Sequence, residues 1–185
     1  MQGQAPGPVL TAKGRGEAAG IAERFAGIRI TGFYTSDLAR ACETAGIVGQ
    51  ALRMKPRNDR ALRERNFGLA QGRPHSELSS AASGIDIDRV VDADARPPEG
   101  ESLRELYRRV GAFIADVERH EREGDVLVIT HGGVIRVAQA YCSRIAVGAM
   151  SWGPVPNASV WKLGGPRLRV ASVPSTKSRE TVRSV

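Results

Sequence analysis

Residues 126–130 read Val-Leu-Val-Ile-Thr, apolar up to the last position and rich in β-branched side chains. A run with no polar face suits a strand covered on both sides, hence a parallel sheet flanked by helices. Around it the apolar positions recur at helical spacing. Ala18, Ile21, Ala22 and Phe25 share one face behind Thr11, which can cap a helix that Gly27 ends. Leu103, Leu106, Val110, Phe113, Ile114 and Val117 form a second stripe. Ser102 and Glu105 open that helix as an S-x-x-E capping box, and Gly124 is its expected stop. A strand is expected over 30–35, then a helix over 38–50 capped by Ser36-Asp37, then an extended piece over 54–57. Beyond His131-Gly132-Gly133 a helix is expected over 134–143, and strands over 158–163 and 168–173 make a closing pair around Gly164-Gly165-Pro166. Residues 66–100 are irregular, with Gly68, Gly72, Pro74, Gly84, Pro97, Pro98 and Gly100, and hold at most a short helix near 76–82. They read as an excursion over one end of the sheet. Strands alternating with amphipathic helices predict an α/β fold, a three-layer α/β/α sandwich with a mostly parallel sheet. The domain is expected over 1–165, with the last strand and a basic, flexible tail over 166–185.

Length and composition narrow this further. The 185 residues suffice for one domain with a real core. At 41% hydrophobic and 25% charged, the chain is balanced as a globular protein rather than a disordered one. Two cysteines, Cys42 and Cys142, exclude a disulfide framework and a four-thiolate zinc site. No His, Cys or carboxylate spacing suits a metal, so neither metal nor cofactor is expected. The longest aliphatic run, residues 126–129, is far below the ~20 residues of a membrane span. The opening MQGQAPGP has no basic or apolar region of a secretory signal, so a cytoplasmic setting is the expectation. The net charge of +7 raises the possibility of a polyanionic partner. Residues 166–185 hold five of the basic groups against one acid, without aromatics for base stacking from Ser172 onward. Nucleic acid is therefore not the expected partner.

Three segments carry candidate chemistry. His131 stands where a buried strand ends and a helix begins, the place where open α/β sheets bind ligands. The glycines behind it admit a ligand close to the backbone, and the helix N–H groups favour an anion. Arg40 falls in the first turn of a helix, where a cation opposes the macrodipole. That placement makes sense if its planar fork holds a phosphate, although a solvated arginine fits the local sequence equally. Glu64, between Leu62 and Phe67, can serve as a general acid in a cleft or stand as a surface carboxylate. Gly14, Gly16 and Gly20 imitate a dinucleotide fingerprint, but the spacing is one residue too long and no strand precedes it. His75 and His120 read as solvated.

Together these segments resemble the histidine phosphatase superfamily, the phosphoglycerate mutase-like proteins. The similar stretches run from Gln2-Gly3 with Leu10-Thr11 and Gly14, through Ser36-Asp37-Leu38-Ala39-Arg40-Ala41 and Glu43-Thr44-Ala45, to Leu62-Arg63-Glu64 with Phe67-Gly68. They continue through Gly100-Glu101-Ser102, Val128 to Arg136 and Pro156-Asn157-Ala158-Ser159. The resemblance implies phosphoryl transfer through a phosphohistidine. It implies that Arg40 and His131 hold phosphoryl oxygens, that Glu64 protonates the leaving oxygen, and that Gln2, Gly3, Gly132 and Asn157 contact substrate. It implies a small phosphorylated substrate or phosphate as partner, and a phosphatase rather than a mutase, since residues 66–100 are short for an elaborate cap. One motif is missing. The family's nucleophilic histidine lies in an R-H-G tripeptide at the end of its first, central strand, and no R-H-G occurs in these 185 residues. The expectation is that the strand and the nucleophile precede Met1 and that the flanking strands lack a partner without them. The alternative is a binding or regulatory module that keeps the anion site through Arg40 and His131.

Overall fold

A computed structural model describes residues 2–5, 7, 9–73, 92–121, 123–163, 168–174 and 176. The helix expected near 76–82 and the tail beyond 176 lie outside the described residues. Five strands form one sheet: β1 (Ile30–Thr35), β2 (Arg57–Asn58), β3 (Asp125–Thr130), β4 (Val160–Leu163) and β5 (Leu168–Ser172), in the order β2-β1-β3-β5-β4. β2, β1, β3 and β5 run parallel and β4 is antiparallel at one edge. Helices α1 (Ala12–Glu23), α2 (Ala39–Leu52), α3 (Leu103–His120) and α4 (Gly132–Cys142) cover the two faces.

β3 sorts the core because its side chains alternate. Leu127 and Ile129 pack with Ile21, Phe25, Ala45 and Val48 of α1 and α2. Val126 and Val128 pack with Leu106, Val110, Ile114 and Ile135 of α3 and α4. Every β3 residue from Val126 on is buried, as a strand covered on both faces requires. These two clusters make the three layers of the α/β sandwich.

The caps were partly as expected. Thr11 accepts from Gly14 N at 2.9 Å, and Ser102 and Glu105 form the full capping box of α3. α3 stops at His120, before Gly124, whose φ of +72° instead makes the turn into β3. Ser36 and Asp37 do not cap α2. Its cap residue is Leu38, and the two expected capping side chains are engaged elsewhere.

The sheet also differs from expectation beside β3. An unpartnered edge was expected there, yet β3 is paired on both sides, by β1 and by β5. β4 and β5 pair with each other as expected, and β5 also runs parallel to β3 from Val126↔Leu168 to Thr130↔Ser172, so the last strand is interior. The division drawn at 165/166 from the sequence thus falls between β4 and β5 of one sheet. Among the described residues no helix is long and apolar enough to cross a membrane, and no group of three or more His, Cys, Asp or Glu is arranged to hold a metal.

Candidate active site

Four parallel strands point their carboxyl ends the same way, and the chain leaving each contributes to one cleft of about 310 Å³. After β1 come Ser36 and Arg40. After β2, a short turn over Arg60–Leu62 leads to Glu64. After β3 comes His131, and after β5 come Val173, Pro174 and Thr176. All seven residues singled out from the sequence line this cleft: Gln2, Gly3, Arg40, Glu64, His131, Gly132 and Asn157. Val155, Ser172, Val173, Pro174 and Thr176 complete the wall.

Arg40 is 4% exposed, so it is no solvated arginine. Its Nη2 donates to the Gly3 carbonyl at 2.7 Å, which ties the start of the chain to the floor of the cleft. Gly3 has φ +51°, and an added Cβ would press on Gln71 and Phe67, so glycine is required there. Burial lowers the Arg40 pKa and the nearby Glu64 charge opposes that shift. The guanidinium remains a cation.

His131 is also 4% exposed and shares a 2.9 Å hydrogen bond between Nε2 and Ser36 Oγ. Burial, then the charges of Arg40 and Arg109, hold its pKa well below the usual imidazole value. The ring is therefore neutral at physiological pH and can donate one N–H to an anion. Ser36 Oγ also accepts from Leu38 N at 3.3 Å.

Glu64 is half-buried rather than on the open surface. Its carboxylate accepts from its neighbour's amide, Arg65 N, at 2.9 Å and from Gly133 N in the first turn of α4 at 3.2 Å. The helix N-terminus thus holds the carboxylate against the cleft. Its carbonyl accepts from Gln4 Nε2 at 2.9 Å, and Thr130 Oγ1 donates to Leu62 O at 2.7 Å. Asp37, expected as a cap, instead takes Arg63 in two hydrogen bonds of 2.6 Å, and that pairing lowers its pKa. Gln2 Nε2 donates to Thr176 Oγ1 at 2.7 Å, closing the cleft between the two ends of the described chain.

The sequence reading missed Ser36 as partner of His131, the Ser172–Thr176 wall, and Arg109. The last had a readable signal: a cation three residues after Leu106 and four before Phe113, inside an apolar stripe. Among the described residues no second histidine joins the cleft. His75 lies outside the described residues, and His120 is exposed at the end of α3, with Nδ1 2.9 Å from Asp116 O.

The chain is similar to the probable phosphoglycerate mutase GpmB of Salmonella arizonae, 35% identical over 133 residues, which are 71% of this chain and 61% of that protein. It thus spans about three-fifths of the length of the curated relatives it matches. Among solved structures it is similar to a mycobacterial glucosyl-3-phosphoglycerate phosphatase in complex with inorganic phosphate, with 29% identity and a TM-score of 0.70 over 80% of this chain and 75% of that one. Bacillus stearothermophilus YhfR is 28% identical, with a TM-score of 0.72 over 98% of this chain and 87% of its own. The family model that describes the histidine phosphatase superfamily (branch 1) matches residues 1–169, and on that match the chain belongs to this superfamily.

Proposed function

We propose that the cleft is the phosphoryl site of a phosphomonoester hydrolase. The observation that carries this reading is the convergence of Arg40, Glu64 and His131, from three separate segments, on one cleft. Arg40 supplies the fixed positive charge for the phosphoryl oxygens, and neutral His131 donates a hydrogen bond without adding charge. Glu64, held on the α4 N-terminus, faces the same space and delivers a proton to the leaving ester oxygen. In the hydrolysis proposed, a histidine nitrogen attacks phosphorus as the P–O ester bond breaks. Water then splits the phosphohistidine and releases phosphate. The attacking ring must lie in line with the leaving oxygen. His131 is the single described histidine in the cleft and is needed there as a donor, so the attacking nitrogen belongs to a second histidine. A relative that hydrolyses a phosphoglycerate ester favours a phosphatase, acting on small phosphorylated substrates.

The second reading is an anion-binding module without turnover. It is favoured by a buried, neutral His131 whose Nε2 is already bonded to Ser36. Two measurements separate them. Inorganic phosphate should raise the melting temperature of residues 1–185, and Arg40→Ala should weaken its binding at least tenfold. An upstream-extended chain should hydrolyse a generic aryl phosphate, and residues 1–185 alone should not. Turnover by 1–185 that His131→Ala abolishes would overturn the assignment of the nucleophile. An inactive extended chain that still binds phosphate would establish the module instead.

A further inference from the structure

Arg109 of α3 is the one cation that donates to three carbonyls of the loop carrying Glu64, among the described residues. Its side chain is 22% exposed. Nη1 donates to Ala61 O at 2.6 Å, and Nη2 donates to Arg63 O at 2.8 Å and to Glu64 O at 3.1 Å. The rest of the fork meets Glu101, with Nε 2.6 Å from Oε1 and Nη2 3.0 Å from Oε2. Glu101 is 14% exposed at its side chain and stands just before the Ser102 cap. A planar guanidinium reaches these acceptors together, with the two Nη2 hydrogens shared among three oxygens, and a compact ammonium does not.

Such an arrangement is more than packing requires. An aliphatic side chain would fill the same space without the cost of desolvating a charge. What the pair adds is geometry. The Glu64 carboxylate is held by backbone N–H groups, those of Arg65 and Gly133. Its place in the cleft is therefore set by where the 61–64 backbone lies, and Arg109 grips three of those four carbonyls. The Arg109 charge also helps keep the buried ring of His131 neutral.

We infer that Arg109, aligned by Glu101, is a positioning residue of the phosphoryl site, setting the Glu64 carboxylate beside the Gly133 amide. The inference rests on the reading of Glu64 as the group that faces the bound ester. It explains the Gly100-Glu101-Ser102 segment, whose glutamate otherwise has no part in the site.

The test reads the Gly133 amide by nitrogen–proton NMR in residues 1–185. Glu64→Gln replaces the carboxylate that this amide donates to, so it should displace the Gly133 resonance. Arg109→Lys keeps the charge and loses the fork, and Glu101→Gln removes the aligning carboxylate while keeping the cation. In either background the displacement caused by Glu64→Gln should shrink by at least half, while resonances of α1 and α2 stay in place. A full displacement in a folded Arg109→Lys or Glu101→Gln protein would overturn the inference, and so would a Gly133 resonance that Glu64→Gln leaves in place in the otherwise unchanged chain. Should Arg109→Lys fail to fold, the milder Glu101→Gln decides. Sulfate binding in the same samples tests the site separately: a wild type that binds no sulfate would sink the phosphoryl reading and leave the Gly133 result standing.

Discussion

His131 stands at the carboxyl end of β3 and Arg40 in the first turn of α2, and both are almost wholly buried where they face the cleft. Position at a strand end is visible in a sequence, which is why His131 stood out, whereas Arg40 taken locally fitted a solvated arginine equally. Burial was not visible, and it decides their chemistry. A solvated histidine changes charge near pH 6.5, whereas His131 is kept neutral by burial and two cations. The consequence for stability has a definite sign. As pH falls below the ordinary imidazole value, the unfolded chain takes up a proton that the folded ring refuses, so stability falls. Urea melts between pH 7.5 and 5.5 should show a decline that His131→Asn reduces, by at most about 1.4 kcal/mol per pH unit for one proton. His75 and His120 are common to both proteins and cancel. An unchanged slope in the variant would remove His131 as the source. A cation inside the apolar stripe was the one readable sign of Arg109, but its role was not legible, because its acceptors are backbone carbonyls 45 to 48 residues away in sequence. No residue type marks a carbonyl.

At the scale of elements, α3 was the most readable, since its apolar stripe and its capping box are both local patterns. α2 shows the limit of such patterns. Ser36 and Asp37 have the chemistry of caps, but Ser36 serves His131 and Asp37 serves Arg63. Tertiary partners outcompeted the local role. α4 begins at Gly132, two positions earlier than expected, so that Gly133 presents its amide to Glu64. A Cβ at Gly133 would collide with the tip of the Glu64 side chain, a flexible end that can swing away. Gly133→Ala should therefore leave the fold intact and favour the helix by up to about 1 kcal/mol, yet displace the acid. In the upstream-extended form, turnover of an alkyl phosphate should fall by about a hundredfold, and that of an aryl phosphate with a good leaving group by much less. Equal losses on both would detach Glu64 from the leaving oxygen.

For the whole molecule, the decisive feature is the place of β5. Leu168–Ser172 lies between β3 and β4, completes the hydrogen bonding of β3, and carries Ser172 to Thr176 into the cleft wall. Residues 168–173 were legible as a strand paired with 158–163, and nothing in them named β3 as the second partner. A chain ended after Leu163 should lose cooperative thermal unfolding, because β3 would bury one unpaired edge. A two-state melt close to that of the full chain would show that β5 is dispensable.

The sequence by itself determined the α/β class, the buried central strand and the α1 and α3 caps, because each depends on short-range periodicity, and it placed His131 at the end of a strand. Tertiary structure alone decided the order of the sheet, the neutral state of His131, the engagement of Ser36 and Asp37, and the grip of Arg109 on the 61–64 backbone. Those depend on pairing, desolvation and carbonyl contacts between distant segments, and none of these is encoded in a local pattern of residue types.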